Sequence, residues 1–105
     1  MGFVGKNPQK VEDLLNVIAR HLEAGRFLDT RHATDRQSER KITRSEVLFV
    51  LRHGFHEKRK DRFDEQFHAW NYAVRGKTMD RKDLRIIVSF DEAGMLIITA
   101  IEMET

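Results

Sequence analysis

Cysteine is absent from this chain of 105 residues. No disulfide framework and no thiolate metal site is therefore open to it, and a reducing compartment suits it. Long apolar runs are missing as well, since nothing approaches the roughly 18 consecutive apolar residues that cross a bilayer as a helix. The opening residues MGFVGKNPQK lack the apolar stretch of a secretory signal, so the expected location is the cytoplasm, with no membrane partner. Proline occurs once, at Pro8, and no repeat, low-complexity tract or linker interrupts the chain. Hydrophobic residues make up 40% and charged residues 34%, which fits one domain over residues 1–105 with a single core and a heavily charged surface.

The net charge of +2 hides an uneven distribution. From Arg31 to Arg62 there are ten Lys/Arg against five Asp/Glu, and three of the five histidines fall there too. A basic middle suggests an anionic partner, most simply nucleic acid. A solvated charged surface accounts for the same composition.

The first helix is the clearest element. Val11, Leu14, Leu15, Ile18, Ala19 and Leu22 form one apolar stripe at helical spacing. Asn7 is the expected cap, Pro8 suits the first helical position and Gly25 suits the stop. Residues 1–26 thus read as an N-terminal helical segment and 27–101 as the core region. Arg26 to Thr30 is a short strand candidate, and Ala33 to Glu39 is expected to form one or two helical turns. A further helix starts at Thr43, where TRSE spells a capping box and Ile42 and Val47 a hydrophobic staple, and Gly54 ends it. Strands follow. In HAWNYAVRG, His68, Trp70, Tyr72 and Val74 share one face and Ala69, Asn71, Ala73 and Arg75 the other. DLRIIVSF places Leu84, Ile86, Val88 and Phe90 opposite Arg85, Ile87 and Ser89, and MLIITAI is apolar on both faces, as a central strand is. The order predicts an α+β fold, a small antiparallel sheet with helices packed on one face.

Several motifs carry less than they first suggest. Gly76-Lys77-Thr78 echoes the end of a phosphate-binding loop, but position 71 is Asn and no helix follows, so that reading is rejected. His53, His56, Glu57 and His68 have no recognisable metal-ligand spacing, and no metal or other cofactor is expected. Trp70 and Tyr72 read either as core aromatics or as base-stacking platforms. On a helix, His32, Arg36 and Arg40 recur at i, i+4 and i+8 and form one basic ridge. Bracing of the fold and phosphate binding both remain open for that ridge.

The stretch TRHATDRQSERKITRSEVLFVL resembles domain-of-unknown-function family 4258. The shared pattern is a histidine–alanine pair, an arginine four residues on, a further arginine before an isoleucine, and a capped helix. WNYAVRG, LRIIVSF and MLIITAI fall where that family has its strands, so the resemblance spans roughly residues 27 to 101. With the leading segment VEDLLNVIARHLEAG, the whole is also similar to RelE-like toxins, in particular MqsR-type mRNA interferases. That similarity implies a RelE-like fold, metal-independent RNA cleavage and a cognate antitoxin. Arg85 sits where the MqsR type carries a basic residue in a comparable strand, while WNYAVRG departs from the MqsR pattern.

Such cleavage needs a base for the ribose 2′-OH, an acid for the 5′ leaving oxygen and cations for the charge on phosphorus. The candidates are His32 as acid or base, Arg36, Arg40 and Arg85 as phosphate clamps, and Tyr72 as proton donor or stacking surface. Lys58, Arg59, Lys60, Arg75 and Lys77 are the candidates for drawing in the nucleic acid strand. The alternative is a non-catalytic module that binds RNA or a protein through the same cations.

Overall fold

The computed structural model describes residues 8–31 and 42–104. The region expected to form helical turns between Ala33 and Glu39 lies outside the described residues, as do Asn7, His32, Arg36 and Arg40.

Helix α1 runs Leu14–Ala24, with Leu14, Ile18 and Leu22 buried. Gly25 closes it in a left-handed conformation at φ 69°, and the Arg26 N–H donates to the His21 carbonyl at 2.9 Å. The start differs from the expected one. Pro8 to Val11 is not helical, because the sheet captures its backbone groups. Trp70 Nε1 donates to the Pro8 carbonyl at 2.8 Å, and the Val11 N–H donates to the Tyr72 hydroxyl at 2.9 Å. The chain turns into the helix only at Asp13, at φ 55°.

Strand β1 is Phe27–Asp29. Helix α2, Arg44–His53, opens on the expected capping box. The Thr43 hydroxyl accepts from the Glu46 N–H at 3.1 Å, and Glu46 accepts from the Thr43 N–H at 2.9 Å. The Thr43 N–H bond is the main reason the Glu46 carboxyl lies below its ordinary range. Glu46 also holds Lys82 at 3.0 Å, tying the start of α2 to the loop before β5. Val47, Val50 and Leu51 are buried, and Ile42 packs against the core.

Five further strands complete the sheet: β2 Phe55–His56, β3 Arg62–Asp64, β4 Ala69–Lys77, β5 Asp83–Asp91 and β6 Gly94–Glu102. The order is β1-β6-β5-β4-β2, with β3 also paired to β4. All pairings are antiparallel except β1 with β6, which is parallel and departs from the purely antiparallel expectation. Helix α1, entered from the N-terminal side, returns the chain into β1 alongside β6. After Gly76 and Lys77, the Thr78 hydroxyl accepts from the Lys82 N–H at 3.1 Å, so the GKT triplet closes a hairpin loop.

Register settles which residues share a face. Tyr72 faces Val88 and Val74 faces Ile86, whereas Ala73 faces Ile87 and Arg75 faces Arg85. Tyr72, Val74, Leu84, Ile86, Val88, Met95 and Ile97 form the core with both helices. Burial of each such Leu, Ile or Val contributes about 1.5–3 kcal/mol. Ala73, Arg75, Arg85 and Ile87 lie on the face turned away from the helices.

The end of α2 crosses β4 at two glycines. A Cβ on Gly54 would come within 2.5 Å of the Arg75 carbonyl oxygen and 2.7 Å of the Val50 oxygen, and one on Gly76 within 3.0 Å of the Gly54 Cα. Both obstacles at Gly54 are backbone atoms and cannot step aside. Gly54→Ala is expected to lower stability by about 1–3 kcal/mol, seen as a lower urea midpoint with an unchanged slope.

Candidate nucleic-acid interface

Strand β4 carries the site on its outer edge. β3 pairs with residues Ala69 to Asn71 and β2 with Val74 and Arg75, which leaves a gap between them. The chain fills the gap with its own polar groups. The Ala73 N–H donates to Asp61 Oδ1 at 3.0 Å, and the Ala73 carbonyl accepts from the Glu57 N–H at 2.8 Å. Between these two anchors, Lys58–Lys60 forms a single 3-10 turn, closed by the Asp61 N–H donating to the Lys58 carbonyl at 3.1 Å.

Asp61 gathers a compact cluster under that turn. Its side chain is 1% exposed and accepts from His56 Nε2 at 2.9 Å and from Lys10 Nζ at 2.6 Å. A buried carboxylate is costly unless its lone pairs are engaged and its charge is offset. Here the Ala73 amide, the imidazole and the ammonium meet that need together. The Lys10 ammonium also lies 4.9 Å from the Trp70 ring centroid. Lys58 and Arg59 are exposed at the apex, with Lys60 half-buried beside them. Among the described residues none of the three forms an ion pair.

The open sheet face is built differently. Arg75 and Arg85 stand opposite each other in register, a repulsive placement that Glu57 relieves. Glu57, buried, accepts from Arg85 Nε at 2.7 Å and Nη2 at 3.1 Å, and from Arg75 Nη1 at 3.1 Å. Arg75 also donates from Nε and Nη2 to the two oxygens of Asp83, both at 2.8 Å. The Arg85 guanidinium is the main cause holding the Glu57 carboxyl below its ordinary range, and Arg75 does the same for Asp83. Asp83 in turn raises Arg75 further above its already high value.

The described residues among the expected candidates are thus distributed over four places. Tyr72 is buried among the core residues on the helix side, its hydroxyl accepting from Val11. Arg85 lies on the opposite face, so the sheet does not bring Tyr72 and Arg85 into one cleft. Arg75 and Arg85 are held by carboxylates, and Lys77 is exposed at the end of β4. Lys58, Arg59 and Lys60 stand together on the edge turn. His32, Arg36 and Arg40 lie outside the described residues. His53 packs on Phe49, with ring centroids 4.5 Å apart, while His56 turns to Asp61. The pairing of His56 with Asp61 is the feature that sequence reasoning missed. The signal available was a histidine and an aspartate bracketing the basic triplet in HEKRKD.

The chain was compared with known proteins. A family model described as "Domain of unknown function (DUF4258)" matches residues 30–102. No curated protein and no solved structure matches the chain significantly.

The Glu57 site makes a pH prediction. Its carboxyl is depressed in the folded chain, so the stabilisation is present above the ordinary value of 4.5 and is lost as pH falls through the lower folded value. Glu57→Gln is expected to cost about 1–3 kcal/mol at pH 7, since two arginines lose a charged acceptor. Urea denaturation of the variant should also show a shallower loss of stability on acidification than the parent chain.

Proposed function

The chain belongs to the DUF4258 family, whose model covers residues 30–102, and we propose, from the geometry of its strand edge, that it binds RNA through the turn Lys58–Lys60. One observation carries the reading: three consecutive cations occupy an exposed turn without carboxylate partners among the described residues, while the Asp61 cluster fixes the turn from below. Phosphate binding by cations carried on an anchored turn avoids the backbone part of the ordering cost of a flexible basic loop. Arg75 and Arg85 take a supporting part at most, because each is committed to Glu57. Lys77 at the far end of β4 adds a further exposed cation. A protein partner for the same surface would have to supply carboxylates at matching spacing.

The stronger version of this reading is a RelE-like, MqsR-type endoribonuclease that acts in the cytoplasm without a metal and is held in check by a cognate antitoxin. Two things favour it: the α+β arrangement with a leading helix and one open sheet face, and the basic ridge of His32, Arg36 and Arg40 in the sequence. Fold alone does not decide function.

Fluorescence anisotropy with labelled single-stranded RNA tests binding. Replacing Lys58, Arg59 and Lys60 together by Ala is expected to weaken binding by about tenfold or more at low salt. It should also flatten the slope of log K against log salt by about 2, because each phosphate contact on a single strand contributes about 0.7. Arg85→Ala, on the other face, is expected to change affinity much less. Equal binding by the triple variant and the parent chain would sink the proposal.

A further inference from the structure

The two residues that close the basic turn form an imidazole–carboxylate pair, and a purely structural role leaves half of it unexplained. His56 Nε2 lies 3.1 and 2.9 Å from the two Asp61 oxygens. A carboxylate engaged by Lys10 and the Ala73 N–H accepts, so Nε2 is the nitrogen that donates to Asp61, and in the tautomer this selects the lone pair lies at Nδ1. No hydrogen bond engages Nδ1 among the described residues. No buried side-chain nitrogen or oxygen there lacks a partner, so Nδ1 is not fully buried, in keeping with the 12% exposure of the His56 side chain. Closing the turn requires only a donor to Asp61, and an amide side chain would supply one. A ring with its far nitrogen open and its orientation set by a carboxylate has the arrangement of a general base.

The position of the pair adds to this. His56 and Asp61 are the two ends of the segment whose apex is Lys58–Lys60, so the imidazole and the three cations belong to one anchored loop. Of the described candidates, Tyr72 is buried with its hydroxyl accepting from Val11 and Arg85, expected as a phosphate clamp, is held by Glu57, while His32 lies outside the described residues. We infer that His56, oriented by Asp61, is the catalytic base of an RNA-cleaving site adjoining the turn; this rests on RNA binding by that turn. In the step, His56 Nδ1 takes the proton of a ribose 2′-OH and the 2′ oxygen forms a bond to the adjacent phosphorus. The bond from phosphorus to the 5′ oxygen breaks, and water supplies the proton that the leaving oxygen needs. The products are a 2′,3′-cyclic phosphate and a 5′-hydroxyl. Asp61 is a positioning residue, acting only through the ring.

The test uses the full chain, a long mixed-sequence RNA and a buffer containing EDTA. The parent chain should cleave this RNA to 2′,3′-cyclic phosphate ends and leave a fully 2′-O-methylated copy intact. His56→Gln keeps an N–H for Asp61, so circular dichroism should show the parent fold. Its cleavage rate should fall by about 100-fold or more, with the anisotropy Kd within about twofold of the parent. Asp61→Asn should lower kcat and leave KM nearly unchanged, a split that a merely loosened turn would not give. Parent-like cleavage by His56→Gln, 5′-phosphate products, or binding without cleavage by the parent chain each overturns the inference while RNA binding stands. Failure of the parent chain to bind RNA at all removes both.

Discussion

The peptide unit of Ala73 is the constraint on which the edge of this molecule depends. A strand in the middle of a sheet gives its N–H and C=O groups to a neighbouring strand, and a buried peptide left unpaired costs about 1–3 kcal/mol. At Ala73 the neighbouring strand is interrupted, with β2 on one side and β3 on the other. Asp61 takes the N–H and Glu57 supplies a donor to the carbonyl. Two groups on one short loop therefore stand in for a missing stretch of strand. This fixes the loop against β4, sends the Glu57 side chain to the arginines on the open face, and buries Asp61 beside His56 and Lys10. The basic turn projects outward because both of its ends are tied inward.

The two faces of the sheet divide the chemistry. On the helix side the contacts are apolar, and even Tyr72 uses its hydroxyl to hold the incoming chain at Val11. On the other side Glu57, Arg75, Asp83 and Arg85 form a chain of charge-assisted bonds. Two arginines that look available for phosphate in a sequence are thereby committed to neutralising each other's neighbours. Among the described residues, the exposed cations of the sheet and its edge loop lie at the margin, at Lys58 and Arg59, at Arg62 on β3 and at Lys77. On the proposed reading an anionic partner is met at a strand edge, since Tyr72 and Arg85 lie on opposite faces of the sheet and share no cleft.

Local chemistry made much of the fold legible. The TRSE capping box, the stop at Gly25, and the alternation along β4 and β5 all depend on residues within a few positions of one another, and each appears where the sequence puts it. What could not be read depends on partners far apart in the chain. Helix α1 begins at Leu14 because Trp70 and Tyr72, about sixty residues later, draw Pro8 and Val11 onto the sheet. Alternation assigns Tyr72 and Arg85 to faces of their own strands, but only the pairing of Tyr72 with Val88 shows that those faces are opposite. The pairing of Glu57 with Arg85 spans 28 positions, and no periodicity encodes it. His56 and Asp61 are only five apart, yet their contact requires a 3-10 turn that a run of Lys-Arg-Lys does not announce.

The family match begins at residue 30, so it contains β2 to β6, the basic turn, His56 and Asp61, while α1, β1 and Lys10 lie before it. That boundary does not coincide with a physical one in this chain. Leu14, Ile18 and Leu22 are buried in the same apolar cluster as Val47, Val50, Leu51, Tyr72 and Val88. Lys10 places its ammonium 2.6 Å from Asp61, and the Pro8 to Val11 stretch that carries it is anchored on Trp70 and Tyr72. The segment ahead of the matched region thus completes both the core and the charge balance under the turn. Residues 30–102 hold the imidazole, the carboxylate and the cations, but the environment in which they work is finished by residues that precede them.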